Sequence, residues 1–257
     1  MKDKQKILDI IRNTRTISLP AWGNVDVLRN KGAGTHDVVT ELDESIERLL
    51  ASEFLKIEPD IQFVGEEFGG NRSAKKFWLV DPIDGTGLFV RGLPFCTTMV
   101  ALIEDGQVTF GAIYDFVNDV MYHAEKGGGA YEDNTPIRVS ERDLTNAYMG
   151  YESRIEKQHN LEKFLEAKAH FGTIKFLCAG YEHVLVATGK IEGRITYDSY
   201  GYDYDFAPGS LLVSEAGGVV ANIGKKTYDY TNTSYIASNP IVFKQLTRAD
   251  SLFPISE

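Results

Sequence analysis

Apolar residues recur three and four apart in two early stretches. Residues 2 to 15 carry Ile7, Ile10 and Ile11 on one helical face, and residues 40 to 55 carry Ile46, Leu49, Leu50 and Phe54 on another. Both predict helices. Thr40 is read as the cap of the second, and Asp43, three residues on, fits a capping box. From Phe77 to Val139 the pattern turns to short apolar runs, FWLV, TTMVALI, VTFGAIY and DVMYHAE, parted by turn residues such as Glu104-Asp105-Gly106. That predicts a meander of hairpins, with the glycine cluster 127 to 129 as a tight turn before one more strand. Further on, helix and strand alternate: helix 156 to 169, strand 173 to 177, helix 180 to 188, strand 193 to 197, then a helix stopped by Gly217-Gly218 before a strand. The signals divide an N-terminal α+β lobe, 1 to 145, from a C-terminal α/β lobe, 146 to 257. With no linker composition between them, the lobes are expected to form one structural unit.

Composition changes this picture little. The 257 residues are 43% hydrophobic and 25% charged, as in a globular protein. A formal net charge of -10 argues against nucleic acid or anionic lipid as the partner and favours a small molecule. No stretch approaches the ~20 apolar residues of a membrane span and no signal-peptide core is visible, so the expected location is cytoplasmic. Cys96 and Cys178 form no CxxC and are read as reduced packing residues. The five histidines lack ligand spacing and receive no catalytic role.

The chemistry lies in the carboxylates. Asp43 (DVVTELD), Glu66 (FVGEEFGG), Asp81 and Asp84 (DPIDGT) and Asp205 (YDYDFAPG) recur at points where elements begin or end. Taken singly, Asp43 and Asp205 also read as helix caps, and the Glu66-Glu67 pair as a solvated turn. Asp81 and Asp84 are delivered together to a strand end, where two adjacent carboxylates repel unless a cation or a raised pKa relieves them. An all-oxygen donor set without His or Cys suits Mg²⁺ better than Zn²⁺. Gly85-Thr86 adds backbone amides and a hydroxyl for a phosphate. Together these residues suggest metal-assisted phosphoryl chemistry.

The ordered set DVVTELD, GEE, WLVDPIDGT and YDFAPGSLLVSEAGG resembles the inositol monophosphatase superfamily of Mg²⁺-dependent, lithium-sensitive phosphatases over nearly the whole chain. The resemblance implies a layered αβαβα sandwich, often a homodimer, and two to three Mg²⁺ ions per subunit. It assigns Glu66, Asp81 and the Ile83 carbonyl to one ion, Asp81, Asp84 and Asp205 to a second, and Glu66 with water to a weaker third. Thr86, linked to Asp43, would polarise the attacking water, and the amides of Gly85 and Thr86 would bind phosphate. Lys31 resembles a loop lysine near the metals, and Asp198 is the nearest candidate for the acidic residue that contacts substrate hydroxyls.

The departures bear on substrate. Leu88 stands where an Asn is usual, Tyr204 precedes Asp205 in place of Trp, and the segment 189 to 205 is about two residues longer than in inositol-type members. The implied activity is hydrolysis of a small polyol or sugar phosphate, with inositol 1-phosphate foremost. Histidinol phosphate, fructose 1,6-bisphosphate and 3′-phosphoadenosine 5′-phosphate stay open. The alternating Tyr197, Tyr200, Tyr202 and Tyr204 read as a strand with one packed face rather than as a platform for a base. A haloacid-dehalogenase-type phosphatase is disfavoured, because its two aspartates stand two apart and Asp81 and Asp84 stand three apart. A non-catalytic regulator is the alternative of another class, although every implied catalytic position is filled.

Overall fold

The structure, a computed structural model, describes residues 3–25 and 41–255, together with the backbone of 29–30 and 38–39. The expected cap Thr40 and the candidate Lys31 lie outside the described residues. In chain order come helices α1 (Lys4–Asn13) and α2 (Arg15–Ala21), the two-residue strands β1 (Arg29–Asn30) and β2 (Val38–Val39), and helix α3 (Glu41–Ile57). Next follow β3 (Gln62–Gly65), β4 (Lys76–Asp84), the short helix α4 (Thr86–Phe89), β5 (Thr97–Glu104), β6 (Gln107–Asp115), β7 (Val120–Glu125), β8 (Gly129–Glu132) and β9 (Thr135–Pro136). The remainder is β10 (Tyr148–Glu152), α5 (Gln158–Lys168), β11 (Gly172–Ile174), α6 (Ala179–Ala187), β12 (Gly193–Thr196), α7 (Asp203–Glu215), β13 (Val219–Asn222), β14 (Tyr235–Ser238) and α8 (Pro240–Leu246).

Strands β3 to β9 form a seven-stranded sheet in sequence order, antiparallel except for the β3/β4 pair. From β5 to β9 short turns join antiparallel neighbours, whereas β3 joins β4 in parallel and α4 lies in the connection from β4 to β5. The second sheet has the order β11-β10-β12-β14-β13, with the first three strands parallel and β14 antiparallel to both neighbours.

Alternation along each strand decides which layer it serves. Trp78, Val80, Val100, Leu102, Phe110 and Ala112 face α1 and α3, where Ile7, Ile11, Ile46, Leu50 and Phe54 close a first core. Met99 and Ile113 face the other way, into a core shared with Val184 and Val186 of α6, Leu212 of α7, and Tyr235 and Ala237 of β14. The far face of the second sheet, with Met149, Ile195 and Ile236, packs on α5 and α8 through Ala167, Val242 and Leu246. The layers are therefore αβαβα, the sandwich expected from the sequence. Helices α6 and α7 lie between the two sheets and present their N-termini to the end of β4.

One expected element is absent. The tyrosine-rich segment does not extend the strand: β12 ends at Thr196, and positive φ at Asp198, Ser199 and Gly201 turns the chain. Tyr202 and Tyr204 stack at 5.3 Å at the start of α7 instead.

Candidate active site

Strand β4 is buried on both faces from Phe77 onward, so its apolar run delivers the DPID segment into the interior. Residues three apart on a regular strand face opposite sides. Here the β4/β5 register shifts between Asp81 and Asp84, and Thr98 Oγ1 donates to the Pro82 carbonyl across the irregularity at 2.9 Å. The irregularity re-aims the second aspartate. Asp205 reaches the same point from the first turn of α7, where its Oδ2 accepts the Tyr202 amide at 2.7 Å. Asp205 thus serves the start of α7 and also stands in the carboxylate cluster.

One carboxylate oxygen from each of Asp81, Asp84 and Asp205 lies within 4.8 Å of the others. Asp81 Oδ1 is buried and receives no hydrogen bond. Burial first, and then the charges of Glu66, Asp84 and Asp205, push the Asp81 carboxyl well above the usual range. Burial, then Asp84 and Glu66, does the same for Asp205. Three crowded carboxylates with an orphaned oxygen fit a hard divalent cation, which supplies the missing partner and reverses each shift.

Asp84 is placed differently from its neighbours. Its Oδ1 accepts the Ala179 amide at 3.1 Å, and its Oδ2 accepts the Gly180 amide at 2.6 Å, the Cys178 thiol at 3.0 Å and the Thr97 hydroxyl at 3.3 Å. It therefore closes the N-terminus of α6 as well as joining the carboxylate cluster. Burial raises its carboxyl while these donors oppose the rise. Cys178, read from the sequence as a packing residue, is buried but lines the cavity and donates to Asp84.

Gly85, at φ 83°, turns the chain into α4, whose first amides have no intrahelical acceptor. Thr86 Oγ1 lies 2.8 Å from the Ile83 carbonyl and 3.1 Å from Asp43 Oδ1. Asp43 is fully buried, so it is more than a surface helix cap. Glu66 lines the same cavity, and the turn that carries it is fixed by Glu47 of α3. Glu47 Oε2 accepts the Glu67 amide at 2.7 Å and Oε1 the Phe68 amide at 3.0 Å. The GEE turn is therefore anchored from beneath.

The cavity over these groups holds about 800 Å³. Leu88, Tyr200 and Phe206 line it with three cations, Arg91, Arg154 and Lys175. None of the three has a carboxylate partner among the described residues. Arg154 Cζ and Lys175 Nζ lie 5.9 and 5.4 Å from the Tyr200 ring centroid. Asp198 is not among the lining residues. Its carboxylate accepts Lys157 Nζ at 2.6 Å and Asn160 Nδ2 at 2.9 Å, because the turn after β12 carries it toward α5. The structure thus holds Asp198 against α5 and does not bring it to the cavity wall.

Sequence reading missed Glu152, Arg194 and Glu182. Glu152, at the end of β10, lines the cavity, and its Oε2 accepts Arg194 Nη2 at 2.7 Å. Arg194 and Glu182 are fully buried behind it, 3.4 Å apart. The only local signal is a charged residue inside each of the strands YMGYE and GRIT.

The model of the Inositol monophosphatase family matches residues 8–252. A Thermotoga maritima protein described as a fructose-1,6-bisphosphatase/inositol-1-monophosphatase is 30% identical over 94% of this chain and 93% of its own length. Inositol monophosphatase 1 of Sus scrofa is 30% identical over 85% and 83%. Among solved structures, the extragenic suppressor protein SuhB of Bartonella henselae superposes with a TM-score of 0.85 at 26% identity, covering 94% of this chain and 95% of that one. The family is one of metal-dependent phosphatases, and the carboxylate cluster is a set of residues that could bind such a metal. By sequence, by fold and by the chemistry at the end of β4, this chain belongs to the inositol monophosphatase family of phosphoric monoester hydrolases.

Proposed function

We propose that the protein is a Mg²⁺-dependent phosphomonoesterase of small polyol phosphates, with inositol 1-phosphate its foremost substrate. The observation that carries this reading is the convergence of Asp81, Asp84 and Asp205 beside the Thr86–Asp43 pair. Glu66, Asp81 and the Ile83 carbonyl would hold one ion, Asp81, Asp84 and Asp205 a second, and Glu66 with water a third. When bound, Mg²⁺ supplies positive charge against the phosphate and acidifies water beside it. Thr86 Oγ1 orients the attacking water and passes a proton toward Asp43 Oδ1, while the first amides of α4 receive phosphate oxygens. Asp84, tied to α6, fixes the leaving-group side. On the same family ground we propose a homodimer, to be tested by sedimentation.

A second reading, a sugar bisphosphate as substrate, is favoured by Arg91, Arg154 and Lys175 on the cavity wall. It is also favoured by the description of the Thermotoga relative. Both readings are tested by phosphate release from inositol 1-phosphate, histidinol phosphate, fructose 1,6-bisphosphate, 3′-phosphoadenosine 5′-phosphate and glycerol 2-phosphate, with Mg²⁺, with EDTA and with Mg²⁺ plus Li⁺. Turnover that EDTA abolishes is expected, with inositol 1-phosphate highest in kcat/KM. A bisphosphate ahead of it would select the second reading, and EDTA-resistant turnover would overturn the metal assignment.

A further inference from the structure

Beyond Asp81, Asp84 and Asp205 the cavity is lined by three more carboxylates, Glu66, Glu152 and the exposed Glu156, and Glu152 is held in an unusual way. Glu152 ends β10 and is only 5% exposed, yet it lines the cavity. One of its oxygens, Oε2, accepts Arg194 Nη2 at 2.7 Å. No hydrogen bond reaches Oε1 among the described residues, and that oxygen is not sealed away from the cavity. Arg194 projects from the neighbouring strand β12, where it pairs with Gly150 in the parallel register. Its guanidinium stands 4.9 Å from the Phe206 ring centroid and 5.6 Å from that of Tyr235. It also donates to the Ala179 carbonyl and the Thr196 hydroxyl, each at 3.3 Å. A guanidinium held by two rings and by two acceptors besides Glu152 is fixed independently of it, so it fixes Glu152 in turn.

A carboxylate oxygen held rigid, half neutralised and left without a donor is a ready acceptor for O–H groups. Glu152 is not part of the metal cluster, whose converging oxygens come from Asp81, Asp84 and Asp205. It stands beside Ser153 at the C-terminal end of β10, and lines the same cavity as Gly85 and Thr86.

We propose that Glu152, positioned by Arg194, is the specificity-determining acceptor for hydroxyl groups on the alcohol portion of the substrate, the role sequence reading gave to Asp198. The inference rests on the phosphatase reading and narrows it to polyhydroxylated phosphomonoesters. A leaving group without hydroxyls leaves Oε1 desolvated and unpaired, which penalises it relative to a polyol.

The test compares inositol 1-phosphate with cyclohexyl phosphate, the same ring stripped of hydroxyls, on the metal-loaded protein. Wild type is expected to favour inositol 1-phosphate by at least ~10-fold in kcat/KM, about one charge-assisted hydrogen bond. Glu152→Gln keeps an acceptor for Arg194 but turns an amide toward the cavity. It should raise KM for inositol 1-phosphate about tenfold, leave cyclohexyl phosphate within about twofold, and so collapse the ratio. A wild-type ratio near one overturns the proposal without any variant, and so does an equal loss on both substrates in a folded Glu152→Gln protein. Wild-type turnover of cyclohexyl phosphate checks the phosphatase reading separately, and absence of turnover on both substrates would overturn both.

Discussion

The Thr86 hydroxyl stands between two acceptors that come from different layers, the Ile83 carbonyl at 2.8 Å and Asp43 Oδ1 at 3.1 Å. It has one proton to give, so it donates to only one of the two at a time, while its lone pairs remain able to accept from a water. Asp43, fully buried on α3, is the acceptor that can take the proton away. Thr86→Ala should lower kcat by about 10² or more with little change in KM, because the hydroxyl acts on the attacking water and not on substrate binding. Thr86→Ser should restore most of the rate. Equal rates for the alanine and wild-type proteins in a steady-state assay would remove Thr86 from the chemistry.

Asp81 and Asp84 should separate activity from stability. Asp81 Oδ1 has no donor and its carboxyl sits among like charges. Asp81→Asn therefore relieves repulsion, and in EDTA its melting temperature should equal or exceed that of wild type while the rise on adding Mg²⁺ disappears. Asp84 accepts two amides at the start of α6, and an asparagine can supply only one oxygen for them. Asp84→Asn should lower the melting temperature in EDTA by several degrees, corresponding to roughly 1 to 3 kcal/mol. Both variants should lose most turnover. Calorimetry in EDTA and in Mg²⁺ reads both effects, and a stable Asp84→Asn protein would refute the capping role.

Most of the site was legible because its residues sit where local signals are strong. DPIDGT continues an apolar run that reads as a buried strand, and Asp205 lies in the first turn of a helix with its own stop at Gly217-Gly218. What sequence could not supply is the β4/β5 irregularity, since a register shift depends on the partner strand. The place of Asp198 against α5 was not legible, because three positive-φ residues redirect a segment whose tyrosine pattern alone reads as extended. Strands β10 and β14 went unread: YMGYE and YIAS are almost wholly buried, so they show no polar alternation. Helix α2 follows α1 directly and carries Pro20, which obscures its period. Glu152 and Arg194 meet only through the pairing of strands 42 residues apart, and no local pattern announces that.

Gly65 offers a test of how the GEE turn is held. A Cβ built there would lie 1.9 Å from Glu47 Oε1 and 2.0 Å from its carboxyl carbon. Glu47 is buried and committed to the Glu67 and Phe68 amides, so it cannot swing aside without leaving both unpaired. Gly65→Ala should destabilise the fold by roughly 2 to 3 kcal/mol and weaken Mg²⁺ dependence by displacing Glu66. A metal titration of the variant that matches wild type would show that Glu66 is positioned by other means.

The buried pair behind the cavity gives the protein a pH dependence of defined sign. Glu182 is fully buried, and its carboxyl is pushed up to about 8, first by burial and then by the charge of Glu152, against the pull of Arg194. The folded chain therefore keeps this proton up to about pH 8, whereas the unfolded chain gives it up near the ordinary glutamate value of 4.5. Between those values the unfolded state binds fewer protons, so Glu182's contribution to stability is full below pH 4.5 and is lost as pH rises toward 8. Glu182→Gln carries no such proton and accepts the Phe176 amide as Glu182 does at 3.2 Å. Relative to wild type, the variant should gain on the order of 3 kcal/mol in unfolding free energy between about pH 5 and pH 8. Urea melts of the two proteins across that range read the difference directly. A difference that stays flat with pH would mean that Glu182 is ionised in the fold and that Arg194 holds two carboxylates at once.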